Sequence, residues 1–265
     1  MTDPGALADT HLHRAVRTTA LGERRGRDAL IADEIAAVAA GITVRSTTDV
    51  GAMRVERLGV AGGEWARHVW SVREGAWVAR ETVIEDGMAR CTALALDPGR
   101  AAAETASGYL GHGPLGELRA GTGQGAAAAG ALLPADFPDV ERDLADVVHR
   151  LWNGRRLDAL AAWSAAVDWS GPGGLTGDRD DMRAWVVALL ARYPDAVLLF
   201  EAATAAGDTT ALLWRLHGHS VQGDAVRLIG SSVVTRDTVG RITRDATLID
   251  GFAAAVQERA AQFAY

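Results

Sequence analysis

The chain contains no lysine: all 27 of its basic residues are arginine. Alongside 30 glycines and abundant alanine, this reads as a GC-rich coding bias and not as a chemical device. There is a single cysteine, Cys91. It excludes an intramolecular disulfide and fits a reducing compartment. No run of about 18 apolar residues occurs, so nothing reads as a membrane span. The first residues, MTDPGALADTHLHR, lack the positive-then-apolar order of a secretory signal. The formal charge of −7 argues against a nucleic-acid partner, which selects a basic face. There is no nucleophile elbow, phosphate loop or kinase signature. The expectation is a soluble cytoplasmic protein. Hydrophobic residues make up 48% of the 265 positions, enough to bury one large or two modest cores.

One pattern is written twice. Residues 80–89 read RETVIEDGMA and residues 244–253 read RDATLIDGFA. Arg80, Asp86, Gly87 and Ala89 recur as Arg244, Asp250, Gly251 and Ala253. The lead-ins, VREGAWVA and TRDTVGRIT, differ by one residue at the turn, as a duplicated β-hairpin would.

The repeat extends backward. In the second half, Val147, Leu151, Leu157, Leu160 and Trp163 follow helical spacing, broken by NGRR into two helices. A short strand, AAVDWSG, follows. The acidic first turn of GDRDDMRAWVVALLARYPD and its closing Pro194 mark a third helix. Four strand-like runs complete this half: AVLLFEAAT, TALLWRLHGHSV, AVRLIGSSVVTR and RITRDATLID. The first half offers a shorter version. GRDALIADEIAAVAAG matches the third helix and HRAVRTTALG the short strand, with four strands after them and no counterpart of the first helical pair. The expected organisation is a reduced unit at 1–97, a Gly/Ala/Pro-rich linker at 98–138 and a complete unit at 139–265. The linker contains GQGAAA, a loose dinucleotide fingerprint without the strand–helix context that such a site needs.

Helices followed by an antiparallel meander give an α+β fold of two tandem cone-shaped units, each a curved sheet wrapped on helices. The element order and the ending GRITRDATLIDGF resemble the nuclear transport factor 2-like superfamily, and within it the SnoaL-like polyketide cyclases. GHSVQG at 218–223 is similar to that group's Gly-Thr-His-x-Gly stretch, but His219 stands at its Thr position and Ser220 at its His position. The resemblance covers 139–265 and, in reduced form, about 10–97. It implies units that dimerise through their sheets, so a tandem copy makes an internal pseudo-dimer. A monomer or a homodimer is then expected.

Strand alternation puts Arg244, Ala246, Leu248 and Asp250 on one face and Asp245, Thr247 and Ile249 on the other. An Asp250 facing an apolar cone would be desolvated, its pKa would rise, and it would exchange protons near neutral pH. The resemblance implies the same residue as acid/base on a substrate enolate. The alternative is that Asp86 and Asp250 both cap the segments after them. His217 and His219 share a strand face and are candidates to orient a substrate. No third ligand accompanies them at metal spacing, so no metal and no cofactor is expected. Asp168 is a candidate second acid/base group, paired with a histidine, or a turn residue. Trp163, Trp169, Trp214 and Arg244 are the candidate substrate contacts, with tryptophans serving either a planar ligand or the core. His68 and Cys91 read as packing residues.

These readings point to a cofactor-free cyclase, isomerase or dehydratase acting on a small hydrophobic biosynthetic intermediate such as a polyketide. The pocket is expected in the better-closed second unit. A non-catalytic binding or assembly module is the alternative, and epoxide opening a further one. An open cavity holding Asp250 or a histidine favours the enzyme; a second cone filled by tryptophans favours the module.

Overall fold

Two six-stranded sheets are built in the same order by the two halves of the chain. The computed structural model describes residues 10–19, 21–107 and 139–261. In the first half, β1 (His11–Thr19), β2 (Gly22–Arg25), α1 (Arg27–Ala39), β3 (Thr43–Val50), β4 (Met53–Val60), β5 (Gly63–Glu74), β6 (Trp77–Glu85) and α2 (Gly87–Ala93) follow one another. After α3 (Pro98–Ala106), the second half begins with α4 (Asp139–Trp152) and a 3-10 turn, Leu157–Ala162. It continues with β7 (Trp163–Ser170), β8 (Thr176–Gly177), α5 (Arg179–Arg192), β9 (Val197–Ala206), β10 (Thr209–His219), β11 (Ala225–Arg236), β12 (Ile242–Ile249) and α6 (Gly251–Ala261). The sheet orders are β2-β1-β6-β5-β4-β3 and β8-β7-β12-β11-β10-β9. Among the described residues the first unit has no counterpart of α4. The segment read as a linker opens with a helix, α3, whose Ala102 and Ala106 pack on Val256 of α6. The rest of it, GQGAAA included, lies outside the described residues.

Strand register makes the repeat exact enough to pair residues between units. Arg17 lies beside Glu81 in the parallel β1–β6 pair, and Trp169 beside Asp245 in β7–β12. Both pairs carry an irregularity at the same place, after His11–Val78 and after Trp163–Ile242. His68 opposite Ile84 corresponds to Ser231 opposite Leu248. Glu56 opposite Arg67 corresponds to Trp214 opposite Gly230. On the helices, buried Leu30 and Glu34 of α1 have the spacing of buried Met182 and Val186 of α5.

The sheets pack on each other through the faces away from their helices. Met53, Trp70, Ile84, Leu213, Ile229 and Leu248 form that apolar layer. Near its middle, His68 Nδ1 lies 2.6 Å from Ser231 Oγ. These two are equivalent residues of the two units, so they meet near the pseudo-twofold axis, as a self-complementary interface requires. Burial in this layer pushes the His68 pKa down to about 3, with the Arg57 charge adding to the effect. The ring is therefore neutral.

Candidate functional site

The two cones share a backbone and differ in chemistry. Under the second sheet, Trp163, Trp169 and Trp214 are each at most 2% exposed. Trp152 stands edge-on to Trp185 with centroids 5.5 Å apart, and Trp185 lies 5.7 Å from Trp169. Each such side chain removes about 150–250 Å² from water, on the order of 4–6 kcal/mol by area. Gly230 makes room for this packing: a Cβ there would lie 2.2 Å from the Trp214 ring. One acid survives among the indoles. Asp245, 1% exposed, accepts hydrogen bonds from Trp163 Nε1 and Thr247 Oγ1, both at 2.7 Å. Burial raises its pKa to about 6 against the effect of those two donors.

In the first cone the same positions carry charge. His11 stands for Trp163, Arg17 for Trp169, Glu56 for Trp214, Arg67 for Gly230, Glu34 for Val186 and Glu81 for Asp245. Arg17 joins Glu34 and Glu81, each at 3.0 Å. Arg67 joins Glu56 at 2.6 Å and Glu34 at 3.7 Å, and His11 Nε2 lies 3.1 Å from Glu81. Burial alone would raise the Glu81 pKa, but His11 and Arg17 outweigh it and hold the carboxyl below its ordinary value. This cone is open, with a cavity of about 440 Å³ bordered by Arg17, Glu34, Arg67 and Glu85.

The expected site residues fall in different places. Arg244, Ala246 and Leu248 turn to the other sheet, with Leu248 in the inter-sheet layer, while Ile249 packs in the second cone. The expectation that Asp250 enters the second cone is therefore corrected: the acid inside that cone is Asp245. His217 and His219 do share a face, but Trp214 and Leu216 hold the cone side of that strand. The histidines lie on the opposite side. His219 Nδ1 pairs with Asp195 at 2.7 Å in an exposed position. Burial, then Arg227 and Arg215, lower the His217 pKa to about 4. Asp168 pairs with exposed Arg244 at 3.1 Å and not with a histidine. Trp163, Trp169 and Trp214 are core residues of the filled cone. Among the described residues no group of three or more metal-binding side chains occurs, and no helix is long and apolar enough to cross a membrane.

Asp86 and Asp250 both act as caps, accepting from Ala89 N and Ala253 N at 3.0 Å. Their surroundings differ. The second oxygen of Asp86 accepts Gly173 N at 2.8 Å and Gly174 N at 3.2 Å from the loop after β7. Asp250 instead borders a cavity of about 390 Å³, walled by Thr19, Leu21, Val83, Leu94, Leu96 and Phe252 and by Glu85, Arg90 and Cys91. Burial raises the Asp250 pKa to about 7, with Glu85 and Asp86 adding to it and the cap N–H groups opposing it. Thr19, Val83, Glu85 and Arg90 border this cavity and the first cone alike.

A family model described as a SnoaL-like domain matches residues 144–245. A search of curated proteins finds no match. Among solved structures, a candidate isomerase of the SnoaL-like family from Agrobacterium tumefaciens is 25% identical, covering 43% of this chain and 100% of that one with a TM-score of 0.36. An NTF2-like protein of unknown function from Burkholderia pseudomallei is 18% identical, covering 46% and 97% with a TM-score of 0.40. IdmH, a candidate polyketide cyclase from Streptomyces antibioticus, is 17% identical, covering 45% and 98% with a TM-score of 0.41. Likenesses this distant carry no argument about activity. The family match falls on the second unit, whose β-strand order the first unit repeats. Residues 144–245 thus match a SnoaL-like domain model, and the unit that carries them is preceded by a reduced unit of the same sheet order.

Proposed function

We propose that this chain is a cofactor-free acid/base enzyme, an isomerase, cyclase or dehydratase, that acts on a small, largely hydrophobic carbonyl compound in the cavity bordered by Asp250. One observation carries the reading: a carboxyl group with a pKa of about 7 stands on the wall of a 390 Å³ cavity built largely from apolar side chains. An acid/base group is most useful when its pKa lies near the working pH, and typically contributes about 10²–10⁴-fold in rate. Ionised Asp250 removes a proton from the carbon next to the carbonyl, leaving an enolate. Arg90, on the same wall, supplies positive charge to the enolate oxygen. Where the enolate is conjugated with a carbon–carbon double bond, protonated Asp250 returns the proton to the far end of that system, which shifts the double bond and isomerises the substrate. Attack of the enolate on a second carbonyl closes a ring instead, and protonated Asp250 gives its proton to the alkoxide that forms.

Proton exchange tests this without knowledge of the substrate. A panel of enolisable cyclic ketones and β-diketones in D2O, followed by NMR, should show enzyme-dependent deuterium uptake next to the carbonyl. Asp250→Asn keeps a cap oxygen and should reduce uptake by at least about 100-fold. Asp86→Asn should change it little. Uptake that survives Asp250→Asn would refute the assignment. The tryptophan-filled second cone supports a binding or assembly module as the second reading. That reading predicts no exchange with any panel member, together with ligand-induced stabilisation of the chain.

A further inference from the structure

We propose that the cleft between the two sheets holds a second binding site, for a small organic anion (a carboxylate or a phosphate ester), with Arg57 and Arg244 as its anchors. It is separate from the Asp250 cavity. A cavity of about 400 Å³ opens there between β3 and β4 of the first unit and β7, β11 and β12 of the second. Arg57 and Arg244 border it from opposite units, together with the hydroxyls of Ser46, Thr48 and Ser170. Val50, Val55, Val233 and Ala246 supply an apolar patch beside them. Apolar wall next to a few convergent polar groups is the usual build of a small-molecule site.

Comparison of the units explains the space. Strand register equates Val233 with Trp70 and Ala246 with Thr82. Trp70 fills its part of the inter-sheet layer and is 5% exposed. The smaller Val233 leaves room at the equivalent place on the other side of the pseudo-twofold axis.

The same comparison isolates a charge. Register equates Arg57 with Arg215. Arg215 pairs with Glu201, the residue at the irregularity of β9. In β3 the irregularity falls at Arg45 instead, and Ser46 stands opposite Arg57. Arg57 is exposed and makes no hydrogen bond or ion pair among the described residues. Asp49, the only carboxylate bordering this cavity among the described residues, is engaged by Arg54 at 3.2 Å. Glu64 and Asp86 border a smaller cavity beside Arg57, and neither pairs with it. Arg244 gives its Nε to Asp168, which leaves its terminal N–H groups for a ligand. A guanidinium takes a carboxylate or phosphate through a planar fork of N–H donors. The second unit supplies that carboxylate from its own chain; the first leaves it to a ligand.

Benzoate, phenyl phosphate and benzamide share a ring and differ in the head group. They are titrated into the full chain by calorimetry and ligand-observed NMR. The tighter of the two anions should bind at least about tenfold better than benzamide, the equivalent of about 1.4 kcal/mol. Which anion that is separates a carboxylate from a phosphate ligand. Arg57→Met and Arg244→Met keep an apolar stem and remove the charge, and each should reduce the affinity at least about tenfold. Val233→Trp, which installs the bulk of Trp70, should abolish binding. If near-ultraviolet circular dichroism shows that variant misfolded, the two arginine variants decide alone, since both positions are exposed. Arg24→Gln, on the rim of the first cone, and Asp250→Asn should leave the affinity unchanged, so failure here leaves the Asp250 reading intact. Benzamide binding as tightly as the anions, affinity indifferent to either arginine variant, or affinity lost in Arg24→Gln instead would overturn the proposal.

Discussion

Replacing Asp245 by Asn should stabilise the chain, by an amount that grows as pH rises from about 4 and is complete by neutral pH. The folded environment moves this carboxyl from an ordinary 3.8 to about 6, mainly through burial. At about 1.4 kcal/mol per tenfold, the ionised form is disfavoured in the folded chain by roughly 3 kcal/mol. The sign follows from the direction. A raised folded value favours the fold fully below 3.8, and this contribution is lost as pH rises through 6. Asparagine keeps an oxygen for Trp163 Nε1, presents its amide N–H to Thr247 Oγ1, whose hydroxyl is free to turn toward Ser232 Oγ, and carries no charge to bury. Urea unfolding of both chains from pH 4 to pH 8 measures the difference. The variant should gain about 3 kcal/mol on the parent across that range, with most of the change between pH 4 and 6.5. Asp250 and His68 titrate in both chains and cancel. A gap that does not move with pH, or that moves against the variant as pH rises, would show that Asp245 is not an ionised acid enclosed by tryptophans.

Other consequences are as specific. Gly230→Ala drives a methyl group into the Trp214 ring and should cost about 1–3 kcal/mol by overpacking, read from the urea midpoint and near-ultraviolet circular dichroism. His68→Ala and Ser231→Ala should not add: a double-mutant cycle should return about 0.5–3 kcal/mol of coupling for the contact at the pseudo-twofold axis. Removing the exposed Asp168–Arg244 pair should change stability by less than about 1 kcal/mol, measured by thermal unfolding. If Asp250 works as the base, kcat/KM for the substrate that emerges should rise with pH through about 7 and lose that limb in Asp250→Asn.

The repeat was legible because its ten-residue signature survived duplication, and alternation sorted the last strand correctly into two sets. What alternation does not say is which face a second sheet covers. Leu248 on one side and Ile249 on the other are both apolar, because both faces of this strand are buried and the usual inside/outside contrast is gone. Alternation alone therefore points Asp250 into the second cone, whereas its strand face belongs to the inter-sheet layer and its carboxyl borders a cavity between the units. The charged lattice left no local trace. Arg17, Glu34 and Glu81 are 17 and 64 residues apart along the chain and meet only through α1 and the parallel β1–β6 pair. Its signal lies in the comparison of the two halves: once the strands are in register, Arg17 opposite Trp169 and Arg67 opposite Gly230 mark an interior whose chemistry has been exchanged.

Direct titration of Asp250 tests the account most closely. The side-chain carboxyl carbon, followed by NMR in the full chain with Asp250→Asn as the assignment control, should titrate with a midpoint near 7. A midpoint near 4, in the ordinary carboxylate range, would leave Asp250 fully ionised at neutral pH, a helix cap with no proton to exchange, and would contradict the proposed chemistry.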